Sequence, residues 1–120
     1  MEKMIFAVDD TDSMLTLVAS VLDDDYRVLT MISAEKMFKM LQKKRPDLII
    51  LDIEMPDING FDAAGMLREN PDWQDIPIIF LTGYIDDTVL TKATSLKVLG
   101  VVDKTQIPTT LLSLVDELLA

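Results

Sequence analysis

Five short apolar segments, each separated from the next by a stretch with helical spacing, constrain this 120-residue chain more than any other feature. They cover residues 4–8, 26–31, 48–51, 78–81 and 98–102. Three of them are continuous apolar runs rather than alternating ones, as expected for strands covered on both faces. The stretch Tyr26-Arg27-Val28-Leu29-Thr30-Met31 is more mixed and suits a position nearer a sheet edge. Strand and helix alternating five times means a parallel sheet wrapped by helices. Right-handed crossovers leave few topologies, and a barrel needs about 250 residues. The expected fold is therefore α/β, a doubly wound five-stranded parallel sheet with five helices in one domain.

The helices carry their own punctuation. Thr11, Asp12 and Ser13 are capping-type residues before a helix over Asp12–Leu22. Ala34, Met37, Phe38 and Leu41 fall at i, i+3, i+4 and i+7, with Ser33 as N-cap and Pro46 ending the region. Asn59-Gly60 signals a turn before a helix over 61–69, which Asn70-Pro71 closes. Asp86-Asp87-Thr88 can cap a helix carrying Val89, Ala93 and Leu96 on one side. Pro108 suits the first turn of a last helix with a stripe of Leu111, Leu114, Val115 and Leu118. No linker, repeat or low-complexity stretch interrupts the pattern.

Composition removes several chemistries. There is no cysteine and no histidine, which excludes thiolate metal sites, His-based triads and most zinc sites. The formal charge of −10 makes the surface repel nucleic acid, so no direct nucleic-acid binding is expected. No apolar run is long enough to span a bilayer, and the first residues do not have the form of a signal peptide. No membrane contact and a cytoplasmic location are the expectation.

Carboxylates stand where the fold would put a ligand. Asp9 and Asp10 follow the first apolar run and Asp52 follows the third. In open α/β sheets ligands bind at the carboxyl ends of the strands. Thr82 and Lys104 follow the fourth and fifth runs and belong to the same edge. Two unit charges about 4 Å apart repel by roughly 4 kcal/mol at an effective dielectric of ~20. Such a cluster either protonates or binds a divalent cation. Oxygen-only donors favour Mg²⁺ or a similar hard ion. The plainer reading is that Asp9 and Asp10 cap the first helix, that 52–60 is an ordinary loop, and that Thr82 and Lys104 are structural or solvated.

Taken together, these residues resemble the receiver domain of two-component response regulators, of the stand-alone chemotaxis type with a flavodoxin-like (βα)5 fold. The resemblance covers residues 1–120. It rests on the acidic pair after the first strand, Asp52-Ile53-Glu54-Met55-Pro56-Asp57-Ile58-Asn59-Gly60 after the third, Thr82-Gly83 after the fourth and a lysine after the fifth. It implies Asp52 as phosphoacceptor in a phosphorelay. It also implies Mg²⁺ held by Asp9, Asp10, Asp52 and the backbone carbonyl of Glu54, with Asp9 acting mainly through a metal-bound water. Thr82 and Lys104 would contact the phosphoryl oxygens. The implied partners are a sensor histidine kinase or histidine phosphotransfer protein, and a downstream effector on the last two helices and fifth strand. The role is signalling, not metabolic enzymology, with self-catalysed phosphoryl transfer and slow autodephosphorylation.

Two positions depart from the family pattern. Many receivers end the fifth strand in Lys-Pro, a register that would place Pro108 there and lose the lysine. The spacing from Thr82 favours Lys104 instead. Val101 stands where many receivers have an aromatic residue, which puts the usual threonine–aromatic coupling in question. Glu54 and Tyr84 occupy positions that, by the resemblance, tune the access of water to the acyl phosphate; the alternative is that both are exposed loop residues. Two other functions compete with the switch. One is a degenerate receiver binding partners independently of phosphorylation. The other is a haloacid-dehalogenase-type hydrolase suggested by Asp52-Ile53-Glu54, disfavoured by the mid-chain position of the acid and the lack of room for a cap.

Overall fold

The computed structural model describes residues 2–120. Its elements are β1 (Met4–Val8), α1 (Asp12–Leu22), β2 (Arg27–Met31), α2 (Ala34–Leu41), β3 (Leu48–Asp52), α3 (Gly60–Glu69), β4 (Ile78–Thr82), α4 (Asp87–Ser95), β5 (Gly100–Asp103) and α5 (Leu112–Leu119). All strand pairings are parallel and the order is β2-β1-β3-β4-β5. This is the doubly wound flavodoxin-like order, with its switch point between β1 and β3.

Strand alternation explains the continuous apolar runs. Successive side chains point to opposite faces. Phe6 and Val8, Ile49 and Leu51, and Ile78 and Phe80 enter the core beneath α2, α3 and α4. Ile5 and Ala7, Leu48 and Ile50, and Ile79 and Leu81 enter the core beneath α1 and α5. Every residue of β3 and β4 is buried, whereas β2, at the edge, is half exposed.

Several boundaries differ from the sequence reading for identifiable reasons. β3 and β4 each extend one residue further, because the backbone ladder continues through the first polar residue: Asp52 pairs with Leu81, and Thr82 with Asp103. Tyr26 belongs to the turn after α1, its N–H donating to Leu22 O. β5 begins at Gly100 rather than Val98, because Val98 N–H donates back to Ala93 O to close α4. Lys97 supplies the left-handed residue in that closure, with φ of 58°. The last helix does not start as a regular α-helix. A 3₁₀ turn over Lys104–Gln106 and a π-helical turn over Ile107–Leu111, with Pro108 in its first positions, precede α5.

The capping residues divide. Ser33, Asn59 and Asp86 accept from the N–H groups of Lys36, Asp62 and Val89. Thr11 is the N-cap of α1 but makes no side-chain capping bond. Asp9 does the local work, its Oδ1 accepting from Thr11 N–H at 2.9 Å.

Candidate metal and phosphoryl site

The carboxyl ends of β1, β3, β4 and β5 form one rim. Asp9 and Asp52 are fully buried there and Thr82 is 1% exposed. Asp10 lies beside them, facing solvent. Asp9, Asp10 and Asp52 each offer one carboxylate oxygen, and these oxygens all lie within 4.8 Å of one another. Lys104 reaches in from the end of β5. Its Nζ lies 3.1 Å from Asp9 Oδ2 and 3.2 Å from Asp52 Oδ1. The same Asp52 oxygen accepts from Glu54 N–H at 3.2 Å. The other, Oδ2, is buried and accepts no hydrogen bond from any of the described residues. Buried carboxylate oxygens normally have a partner, which makes this one a candidate to receive a ligand.

The electrostatics follow from that geometry. Burial, and then the charge of Asp9, push the Asp52 carboxyl up from 3.8 to about 6, against the opposing pull of Lys104 and the Glu54 N–H. Burial is the largest influence on Lys104 and acts downward. The hydrogen bonds and charges of Asp9 and Asp52 together outweigh it, so the ammonium is held above its ordinary value. One lysine faces three carboxylates, leaving a local excess of negative charge. An all-oxygen donor set with that excess and an unsatisfied buried oxygen fits a hard divalent cation.

The loop after β3 owes its shape to Gly60. A Cβ there would stand 2.4 Å from Asp52 O and 2.6 Å from Ile53 Cα, so only glycine allows α3 to begin so close to β3. Gly60 N–H donates to Ile53 O at 2.8 Å and ties the loop shut. Asp57, in the middle of the loop, adopts φ of 66°. This left-handed residue was not singled out in the sequence, although Pro56-Asp57 is turn-forming chemistry.

Thr82 is more engaged than its place at a strand end suggests. Its Oγ1 accepts from Tyr84 N–H at 3.1 Å. Its single proton faces two acceptors, Tyr84 O at 3.0 Å and Glu54 Oε1 at 3.3 Å. Sequence reading missed this link between Glu54 and Thr82, because the two positions lie on different loops. Tyr84 is 69% exposed, so its side chain faces solvent and is not buried within the site. Val101 is half-buried and packs against the core beneath α4.

Comparison with known proteins agrees with this fold. The family model of the response regulator receiver domain matches residues 5–116. The chain is 34% identical over 76% of its length to protein RcaC of Microchaete diplosiphon, of which it spans 14%. It is 37% identical over 69% of its length to transcriptional regulatory protein AfsQ1 of Streptomyces coelicolor, of which it spans 36%. It thus matches only a minor part of these relatives. Among solved structures it superposes on chemotaxis protein CheY4 of Vibrio cholerae with a TM-score of 0.92 at 28% identity, covering 99% of this chain and 100% of that one. The chain belongs to the response regulator receiver domain family. It has the fold of a signalling domain of two-component systems.

Proposed function

We propose that this chain is a phosphorylation-controlled switch in which Asp52 is the phosphoacceptor and Asp9, Asp10, Asp52 and the Glu54 backbone carbonyl hold Mg²⁺. The observation that carries the reading is the buried Asp52 Oδ2, unpaired beside two further carboxylates and one lysine. Bound Mg²⁺ would supply the positive charge that lets an anionic phosphoryl group approach three carboxylates.

The donor is a phosphohistidine of a sensor kinase or phosphotransfer protein. Asp52 Oδ2 attacks phosphorus, forming the O–P bond of an acyl phosphate as the P–N bond breaks and its electron pair returns to the imidazole. Lys104, already within reach of both acids, exchanges its contact with Asp52 Oδ1 for a phosphoryl oxygen. Thr82 turns its proton from Tyr84 O and Glu54 Oε1 to another phosphoryl oxygen. That movement is transmitted to the loop after β4 and to the face formed by α4, β5 and α5. Exposed Tyr84, Ile85, Leu90 and Leu99 give the α4–β5 side an apolar surface for an effector. Water attack on phosphorus breaks the Asp52 O–P bond, releases inorganic phosphate and returns the Asp52 carboxylate to its resting state. Glu54, exposed at the rim, and solvent-facing Tyr84 are placed to tune that step.

The phosphorylation-independent reading draws on Val101 and on the alternative lysine register; Lys104 lies within reach of both buried acids, and Val101 removes an aromatic residue but none of the acidic groups. The test is labelling by acetyl phosphate followed by intact mass. Wild type gains one phosphoryl group only with Mg²⁺, and Asp52→Asn gains none. Equal labelling of Asp52→Asn would overturn the acceptor assignment. Unchanged labelling of Asp10→Asn across a Mg²⁺ titration would overturn the ligand assignment.

A further inference from the structure

The chain's positive charge is concentrated in one segment. Five of its eleven basic residues, Lys36, Lys39, Lys43, Lys44 and Arg45, fall within ten positions on and just after α2, in a chain of formal charge −10. All five are exposed. Among the described residues Lys36, Lys43 and Lys44 form no ion pair, and Lys39 has only the solvent-exposed Glu35 one turn away. Helix electrostatics account for part of this cluster but not for Lys36. It sits in the first turn of α2, where the macrodipole disfavours a cation.

α2 is also a ridge between two grooves with apolar floors. On its α3 side, Phe38, Ile58, Met66 and Trp73 line a groove of about 490 Å³, which Glu35 also lines. On its β2 side, Met31, Ile32 and Met40 line one of about 300 Å³, bordered by Lys36 and Lys43. Lys39 borders both grooves. Ile32 and Met66, which line these grooves, are each 47% exposed.

We infer that the α2 ridge and its flanking grooves are a second docking surface, fitted to an acidic amphipathic segment of a partner protein. Charge complementarity and the apolar floors select this occupant together. Carboxylates of such a segment meet the lysines while its apolar side chains fill the grooves. The surface is small, since eight helical residues span only about 12 Å. A membrane or duplex would extend beyond it onto the acidic remainder of the surface and be repelled there. A short segment stays within the cationic patch.

Trp73, the chain's only tryptophan, reports on the groove it lines. The probe is a synthetic helical peptide with leucines at i, i+3, i+4 and i+7 and glutamates elsewhere, titrated into the intact chain. Saturable change in Trp73 emission, weakened by salt and absent with a scrambled peptide of equal composition, supports the inference. Lys36→Glu with Lys39→Glu and Lys43→Glu should weaken the peptide about tenfold or more, Lys39 being the one of the three that borders the groove Trp73 lines. Lys36→Glu alone should weaken docking while raising the melting temperature, since it removes the dipole conflict; a purely structural lysine would not separate these effects. The neutral pair Lys36→Gln and Lys43→Gln serves as the milder variant and gives a smaller loss. No saturable response below about 1 mM, or equal binding by the reversal variant, overturns the inference. Tighter binding of phosphatidylserine vesicles or a DNA duplex, or lysine-dependent self-association in sedimentation, overturns the choice of occupant.

Discussion

Two glycines in α3 should respond to the same substitution with opposite signs. Gly65 lies mid-helix, and an added Cβ meets nothing closer than Leu96 Cδ2 at 3.9 Å, an ordinary contact. Replacing a mid-helix glycine by alanine recovers about 0.5–1 kcal/mol of backbone entropy. For a domain of this size that corresponds to a rise of roughly 2–4 °C in melting temperature. Gly60 opens the same helix, but its Cβ would lie 2.4 Å from Asp52 O, 2.6 Å from Ile53 Cα and 3.0 Å from Asp52 C. All three are backbone atoms, which cannot rotate aside as a side-chain terminus can. The strain should cost about 2 kcal/mol or more. Relief requires displacing the end of β3, so Gly60→Ala should also weaken Mg²⁺ binding measured calorimetrically. Gly83→Ala, with nothing within 4 Å, controls for the general effect of removing a glycine from the unfolded chain. Urea melts of the three variants provide the assay. If Gly60→Ala falls within about 0.5 kcal/mol of wild type, or Gly65→Ala is destabilised by more than that, the packing argument is wrong.

Three further outcomes are expected. Because burial and Asp9 raise the Asp52 carboxyl from 3.8 to about 6, the metal-free fold favours its protonated form. That contribution is fully present below the unfolded value and is lost as pH rises through about 6. Asp52→Asn should therefore gain up to about 3 kcal/mol over wild type between pH 4 and 7.5 in chelator, read as the difference between their urea melts. Arg68 donates to the carbonyls of Leu96, Gln74, Ile76 and Lys97 at 2.7, 2.8, 2.8 and 3.2 Å, joining α3 to the segments flanking β4 and β5. Arg68→Lys cannot reproduce that fan and should cost about 2 kcal/mol in the same melts. Tyr26, raised to about 12 by burial and its hydrogen bond to Asp116, should show tyrosinate absorbance with a midpoint near that value in the folded protein. Tyr26→Phe should remove this transition.

The sheet was legible in the sequence because buried strands advertise themselves twice, by apolar content and by length. Their ends were less legible, since Asp52 and Thr82 are polar by type yet paired by backbone. Hydrophobicity therefore stops one residue before the ladder does. The irregular start of the last helix left only Pro108 as a signal, and proline is equally compatible with a regular first turn. The acidic cluster was readable because carboxylates at strand ends have few inexpensive explanations. The Glu54–Thr82 hydrogen bond and the left-handed Asp57 were not, because each depends on how a loop folds. The α2 lysines were visible as letters, but their meaning required the grooves on either side.

Position 9 and position 104 share an ion pair across almost the whole length of the chain. No contiguous fragment that omits either of these two residues can therefore assemble the pocket. A protein cut in the exposed connection after α2 would regain ion binding only when its halves reassociate, making the rim a direct gauge of fragment complementation.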